Sequence, residues 1–136
     1  MSKANTNPIP DMKLELVPVP VSDVERARDF YVEQIGFHLD HDVQPSDTVR
    51  IVQLTPPGSA CSIVIGTGLG EISRMEPGSV KGLHLVVADV NQTREILSER
   101  GVEVSAVDEY PRGIKYVYFR DPDGNSWALQ EIPVNL

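Results

Sequence analysis

One pattern in this chain recurs at an offset of 66 residues, the distance from Asp23 to Asp89, and it constrains the fold more than any other feature. Val21-Ser22-Asp23-Val24 matches Val87-Ala88-Asp89-Val90, and Arg28 matches Arg94. Thr55-Pro56-Pro57-Gly58-Ser59 matches Asp121-Pro122-Asp123-Gly124-Asn125 at the same offset. An Asp directly before an apolar helical pattern is an N-cap signal. Pro presets φ for a turn, and Gly accepts a positive φ. The identities are few, but caps, turns and strand order all agree, so the chain reads as a duplicated module.

Each half reads as strand, helix, strand, strand, strand. In the first, Leu14 to Val21 alternates as a strand; Pro18 and Pro20 place it at an edge or facing a cavity. A helix follows to about Ile35, with Val24, Ala27, Phe30, Tyr31 and Gln34 on one face and Gly36 as its stop. Strands are expected at Phe37–Val43, Val49–Leu54 and Ala60–Ile65, and Gly66 to Gly78 is aperiodic. The second half gives a strand at Leu83–Val87, a helix from Asp89 to about Arg100 stopped by Gly101, then strands at Val102–Val107, Ile114–Phe119 and Trp127–Gln130. The expected organisation is a tail over 1–11, a first βαβββ module over 12–66, a linker over 67–80 and a second module over 81–133. The fold class is α+β.

A net charge of −8 argues against binding nucleic acid through its phosphates and against an anionic membrane surface. No apolar run reaches the length of a membrane span, and the first eleven residues lack a signal-peptide core. Cys61 is the single cysteine, so no internal disulfide forms; a cytoplasmic location is expected.

Val-Ser-Asp-Val-Glu-Arg-Ala-Arg-Asp-Phe-Tyr at 21–31, with Gly36-Phe37, resembles the first module of the glyoxalase / bleomycin-resistance / extradiol-dioxygenase (vicinal oxygen chelate) superfamily. Gly82 to Val90 resembles the start of its second module, and Phe119 to Asn125 its closing hairpin. The resemblance covers about residues 12–133. It implies paired modules whose sheets curl into a half-open cup for a small ligand, with helices outside. It also implies either a divalent-metal enzyme or a metal-free drug-binding protein, and commonly a homodimer.

Strand residues alternate faces, so parity assigns the cup lining. Val17, Val19 and Val21 suit the helix side, leaving Leu14, Leu16, Pro18 and Pro20 for the cup. By the same logic Ser62, Val64, Gly82, His84, Val86, Ala128 and Gln130 face the cup, with Ile114, Tyr116 and Tyr118 one strand earlier. Arg112 is expected at the rim. Trp127 reads as a core aromatic, and Cys61 as a small buried hydrophobe.

Metal enzymes of the resembled family draw ligands from four equivalent positions, which the repeat maps onto Leu16, Ser62, Gly82 and Ala128. None is a good donor for a divalent ion. A register slip of two would bring in His84 and Gln130, partnered by Pro18 and Val64. His38, Asp40, His41 and Asp42 form another donor cluster, read as a solvated strand end. No cofactor and no metal are therefore predicted. What remains is a mostly apolar cup, polar on the second-module side through His84 and Gln130 and apolar on the first. Several readings stay open. The protein binds a small aromatic or amphipathic molecule; or it is a metal-free enzyme with His84 as general acid/base and Gln130 or a tyrosine stabilising an oxyanion; or it is a metal-dependent lyase or dioxygenase with displaced ligands; or it is a protein–protein module with an empty cup.

Overall fold

A computed structural model describes residues 6–133 of the 136. The expected tail thus lies partly outside the described residues, and the part that is described, from residue 6, is exposed. The first module comprises β1 (Leu16–Pro18), α1 (Val24–Asp29), a π-helical turn (Phe30–Ile35), β2 (His38–Ser46), β3 (Val49–Thr55) and β4 (Ser62–Thr67). The second comprises β5 (Leu83–Val86), α2 (Val90–Glu99), β6 (Asp108–Glu109), β7 (Lys115–Arg120) and β8 (Ser126–Glu131). Each forms its own four-stranded sheet, in the orders β1-β4-β3-β2 and β5-β8-β7-β6. The first and last strands of each module pair parallel; the rest pair antiparallel.

Both caps form as the sequence predicts. Asp23 accepts from the Arg26 amide and Asp89 from the Gln92 amide, each in extended backbone geometry. The first helix departs from expectation in its winding. It is α-helical only to Asp29 and then widens into a π turn, ending at Gly36 with φ 92°. The Gly36 and Phe37 amides both return to the Tyr31 carbonyl. Phe30 and Tyr31 are consequently both buried.

Two strands are shorter than predicted. β1 begins at Leu16, and its pairing to β4 continues past Pro18 only as the Val19 amide donating to Val64. Prolines 18 and 20 supply no N–H, which limits the ladder. The strand expected at 102–107 is irregular, and β6 proper is only Asp108–Glu109. Ser105 holds that segment to β7 instead. Its amide donates to the Tyr118 carbonyl, while its hydroxyl accepts the Tyr118 amide in place of a backbone carbonyl.

The core is continuous across the modules. Val19, Val52, Leu54, Ile63 and Ile65 of the first sheet join Val117, Phe119, Trp127 and Leu129 of the second, with Phe30, Tyr31 and Phe37 between them. The helices cover these faces, and the opposite, concave faces form the open cup.

Candidate functional site

Strand parity places the lining residues. In the second sheet Val117, Phe119, Trp127 and Leu129 are buried on the helix side, so Tyr116, Tyr118, Ala128 and Gln130 stand on the concave side. Register sets their neighbours: His84 lies opposite Ala128 and Ala128 opposite Tyr118, while Val86, Gln130 and Tyr116 form the next row. A cavity of about 470 Å³ is lined by His84, Tyr110, Ile114, Tyr116 and Tyr118. Its rings are ordered. Tyr116 packs edge-on to His84 and Tyr110 at 5.8 and 5.5 Å, and lies parallel to Tyr118 at 6.1 Å. Sequence reasoning missed Tyr110, although its place before Pro111 marks the turn that carries it back over the sheet.

Hydrogen bonds fix which atoms face outward. His84 Nδ1 lies 2.6 Å from the Gly82 carbonyl, which can only accept, so Nδ1 carries the proton. In the neutral ring Nε2 is then a bare acceptor. Gln130 Nε2 donates to the Tyr116 hydroxyl at 2.8 Å, leaving the phenol hydrogen and the Gln130 carbonyl oxygen for other partners. Burial, then the hydrogen bond with Tyr110, raise the Tyr118 phenol above its ordinary value, so it stays protonated at neutral pH.

The first sheet's concave face differs. Leu16 is 37% exposed at the edge and Pro18 is half-buried, while Ser62 and Val64 are buried. Beside Ser62 runs a polar chain that the sequence reading did not foresee on this side. Gln53 Nε2 reaches Ser62 Oγ at 3.4 Å, Ser62 and Thr55 hydroxyls lie 2.6 Å apart, and Thr55 donates to Asp40. Because Thr55 gives its one hydrogen to Asp40, Ser62 must donate to Thr55, and the chain points one way. His38 Nδ1 meets the other Asp40 oxygen at 2.8 Å. The Thr55 hydroxyl, followed by His38, holds the Asp40 carboxyl below its usual range. Asp40, read as part of a solvated strand end, is thus half-buried and bonded, and the first-module side is not simply apolar. An irregular register between Leu39 and His41 accompanies this placement.

Arg112 sits on an exposed turn with φ 69°, a left-handed conformation unusual for a side-chain-bearing residue, and it does not line the cavity. Gly82 is exposed beside His84. Cys61 is half-buried, less enclosed than expected, and Trp127 is in the core.

The four metal-ligand positions need one correction. Leu16 lies opposite Ser62, but Ala128 lies opposite His84, not Gly82 as the 66-residue offset requires. A two-residue slip separates the modules at this pair of strands. The structurally matched quartet is Leu16, Ser62, His84 and Ala128, which offers one imidazole and one hydroxyl. Such a set does not suit a divalent ion. Among the described residues no group of three or more His, Cys, Asp or Glu is placed to hold one.

The model of the Glyoxalase/Bleomycin resistance protein/Dioxygenase superfamily matches residues 13–129. The chain belongs to this superfamily. Among solved structures it is similar to TnmS3, an antibiotic binding protein from Streptomyces sp. CB03234, with 39% identity and a TM-score of 0.80 over 92% of this chain and 99% of that one. A glyoxalase/bleomycin resistance protein from the same strain is 42% identical, with a TM-score of 0.72 over 86% of this chain and 98% of the other. A superfamily member from Sphaerobacter thermophilus DSM 20745 is 32% identical, with a TM-score of 0.77 over 89% and 98%. Each of the three is matched over at least 98% of its own length.

Proposed function

We propose that this protein binds a small aromatic or amphipathic molecule against the concave face of the second sheet, without the superfamily's metal. The observation that carries the reading is the ordered set Tyr110, Tyr116, Tyr118 and His84 around one open cavity. Flat rings on rigid strands offer stacking surface at little entropic cost, and His84 Nε2 with the Gln130 carbonyl supplies acceptors for a ligand hydroxyl or amide. The similarity to an antibiotic-binding protein supports the same reading. A second copy of the chain completes the cup. β1 and β5 are edge strands; Leu16 and Val86 on them stand 37% and 67% exposed, and Leu14, just before β1, stands 70% exposed. Light scattering should report a dimer.

A metal-free enzyme is the second reading. One observation favours it: the Gly82 carbonyl holds His84 in the tautomer whose free nitrogen accepts a proton.

The test is ligand titration against a panel of aromatic antibiotics, alongside native mass spectrometry for a copurifying ligand. Tyr118→Ala should weaken binding by about two- to tenfold, the value of a stacked ring pair. His84→Ala should weaken it by a similar factor with little change in melting temperature, because His84 is exposed. Unchanged affinity in both variants, with a bound ligand mapped elsewhere, rejects the reading.

A further inference from the structure

The aromatic cavity occupies only part of the second sheet's concave side. Beyond Tyr118 lies a larger one, of about 680 Å³, whose lining includes Glu103, Ser105, Tyr118, Arg120, Asp121 and Ser126. Tyr118 belongs to both. Arg120 and Ser126 are direct cross-strand partners, one step of side-chain alternation past the Tyr118–Ala128 pair and on its face. At about 3.4 Å per residue, Tyr116, Tyr118 and Arg120 form a column roughly 14 Å long.

The donors of this second cavity are open. Ser126 Oγ accepts the Gly82 amide at 2.8 Å, so its own hydrogen is directed elsewhere. Arg26, Arg28 and Arg50 are each paired with carboxylates, whereas Arg120 has no acidic partner among the described residues. The acidic groups next to it in sequence do not compensate it. Asp121 is buried and already accepts four hydrogen bonds, from the Tyr31 hydroxyl, the Asn125 side chain and the amides of Asp123 and Asn125. Asp123 is taken by the Ser22 amide and hydroxyl, with Arg26 nearby. Glu103 is the one carboxylate facing the cavity that is not so engaged.

We propose that this cavity is an oxyanion subsite, continuous with the aromatic one, in which Arg120 and Ser126 hold a carboxylate, sulfonate or phosphate borne by an aromatic ligand. The subsite rests on the aromatic reading above and extends it: the ligand is elongated, with rings over Tyr116 and Tyr118 and an anionic end beyond them. Glu103 also lines the cavity, so its charge opposes the anion and tunes affinity downwards.

A matched pair of fluorescent probes separates the two ideas: anilinonaphthalene sulfonate, and N-phenylnaphthylamine, which is the same ring system without the sulfonate. Both should bind the wild-type chain, and Tyr118→Ala should weaken both. Arg120→Gln should weaken the sulfonate probe by about fivefold or more and leave the neutral probe within about twofold. Ser126→Ala should act in the same direction but less, and Glu103→Gln should tighten the sulfonate probe alone. If both probes bind at the tyrosines and Arg120→Gln changes neither, or both alike, the subsite is overturned while the aromatic reading stands. If neither probe binds, or Tyr118→Ala affects neither, the aromatic reading falls and the subsite with it.

Discussion

The two hairpins begin from the same turn chemistry and end in different roles. In the first, the ladder closes with Leu54 opposite Ile63, and the turn is an exposed loop in which the Ser59 hydroxyl bonds the backbone of Cys61. In the second, the ladder runs on to Phe119 opposite Trp127 and Arg120 opposite Ser126. The extra length carries the turn over the first module. There the Asp121 carboxylate accepts the Tyr31 hydroxyl at 2.8 Å, Trp127 Nε1 donates to the same hydroxyl at 3.0 Å, and Asn125 donates to the Pro20 carbonyl at 2.8 Å. The linker closes against it too: Gly78 has φ 81°, and a Cβ there would stand 2.1 Å from the Asp123 carbonyl oxygen. A few residues of added strand turn a surface loop into the joint between modules. They also place Arg120 and Ser126 on the cup side.

Breaking that joint should have the largest effect. Asp121→Ala strands four donors, three of them buried, and should cost more than about 4 kcal/mol, whereas Ser59→Ala in the exposed turn of the first hairpin should cost less than about 0.5 kcal/mol. Denaturant melts of the two variants side by side measure the contrast. Tyr31→Phe is gentler. It removes the hydroxyl that links Asp121 to Trp127 and should cost about 1–3 kcal/mol, with a shift in Trp127 emission as its indole loses its partner. Burial, reinforced by Asp121, pushes the Tyr31 phenol far above its normal range, so alkaline titration should leave it protonated until unfolding.

A smaller effect than at the joint is expected in the first module, where partly exposed ion pairs tie β2 and β3 to α1. Arg50 and Arg28 both contact Asp42, at 2.9 and 2.8 Å. Arg50, more than Arg28, holds the Asp42 carboxyl down to about 2. A carboxyl whose folded value lies below its unfolded value, about 3.9, stabilises the fold above that pH. This contribution is lost as pH falls through about 2. Arg50→Gln should therefore lower stability by up to about 1 kcal/mol at neutral pH. The gap from wild type should shrink in acid melts below about pH 4. A gap that is unchanged down to pH 2 would remove Asp42 from the account.

The superfamily's plan was largely legible in the residues. Asp23 and Asp89 announce two helices, the Pro-Gly turns announce two hairpins, and alternation separates Trp127 and Leu129 from Ala128 and Gln130. These signals are local: a cap, a turn or a strand face depends on residues within a few positions. Tertiary structure decided the rest. The modules' first and last strands pair in parallel, and no tight turn sets the register of a parallel pair joined by a long connection. A slip of two residues there keeps every side chain on its face, so alternation cannot detect it; that slip moved His84, not Gly82, opposite Ala128. The row from Gln53 to Asp40 depended likewise on an irregularity in β2, which brings together residues that are distant in sequence. Local chemistry wrote the elements and their faces; long-range register chose which polar groups meet across them.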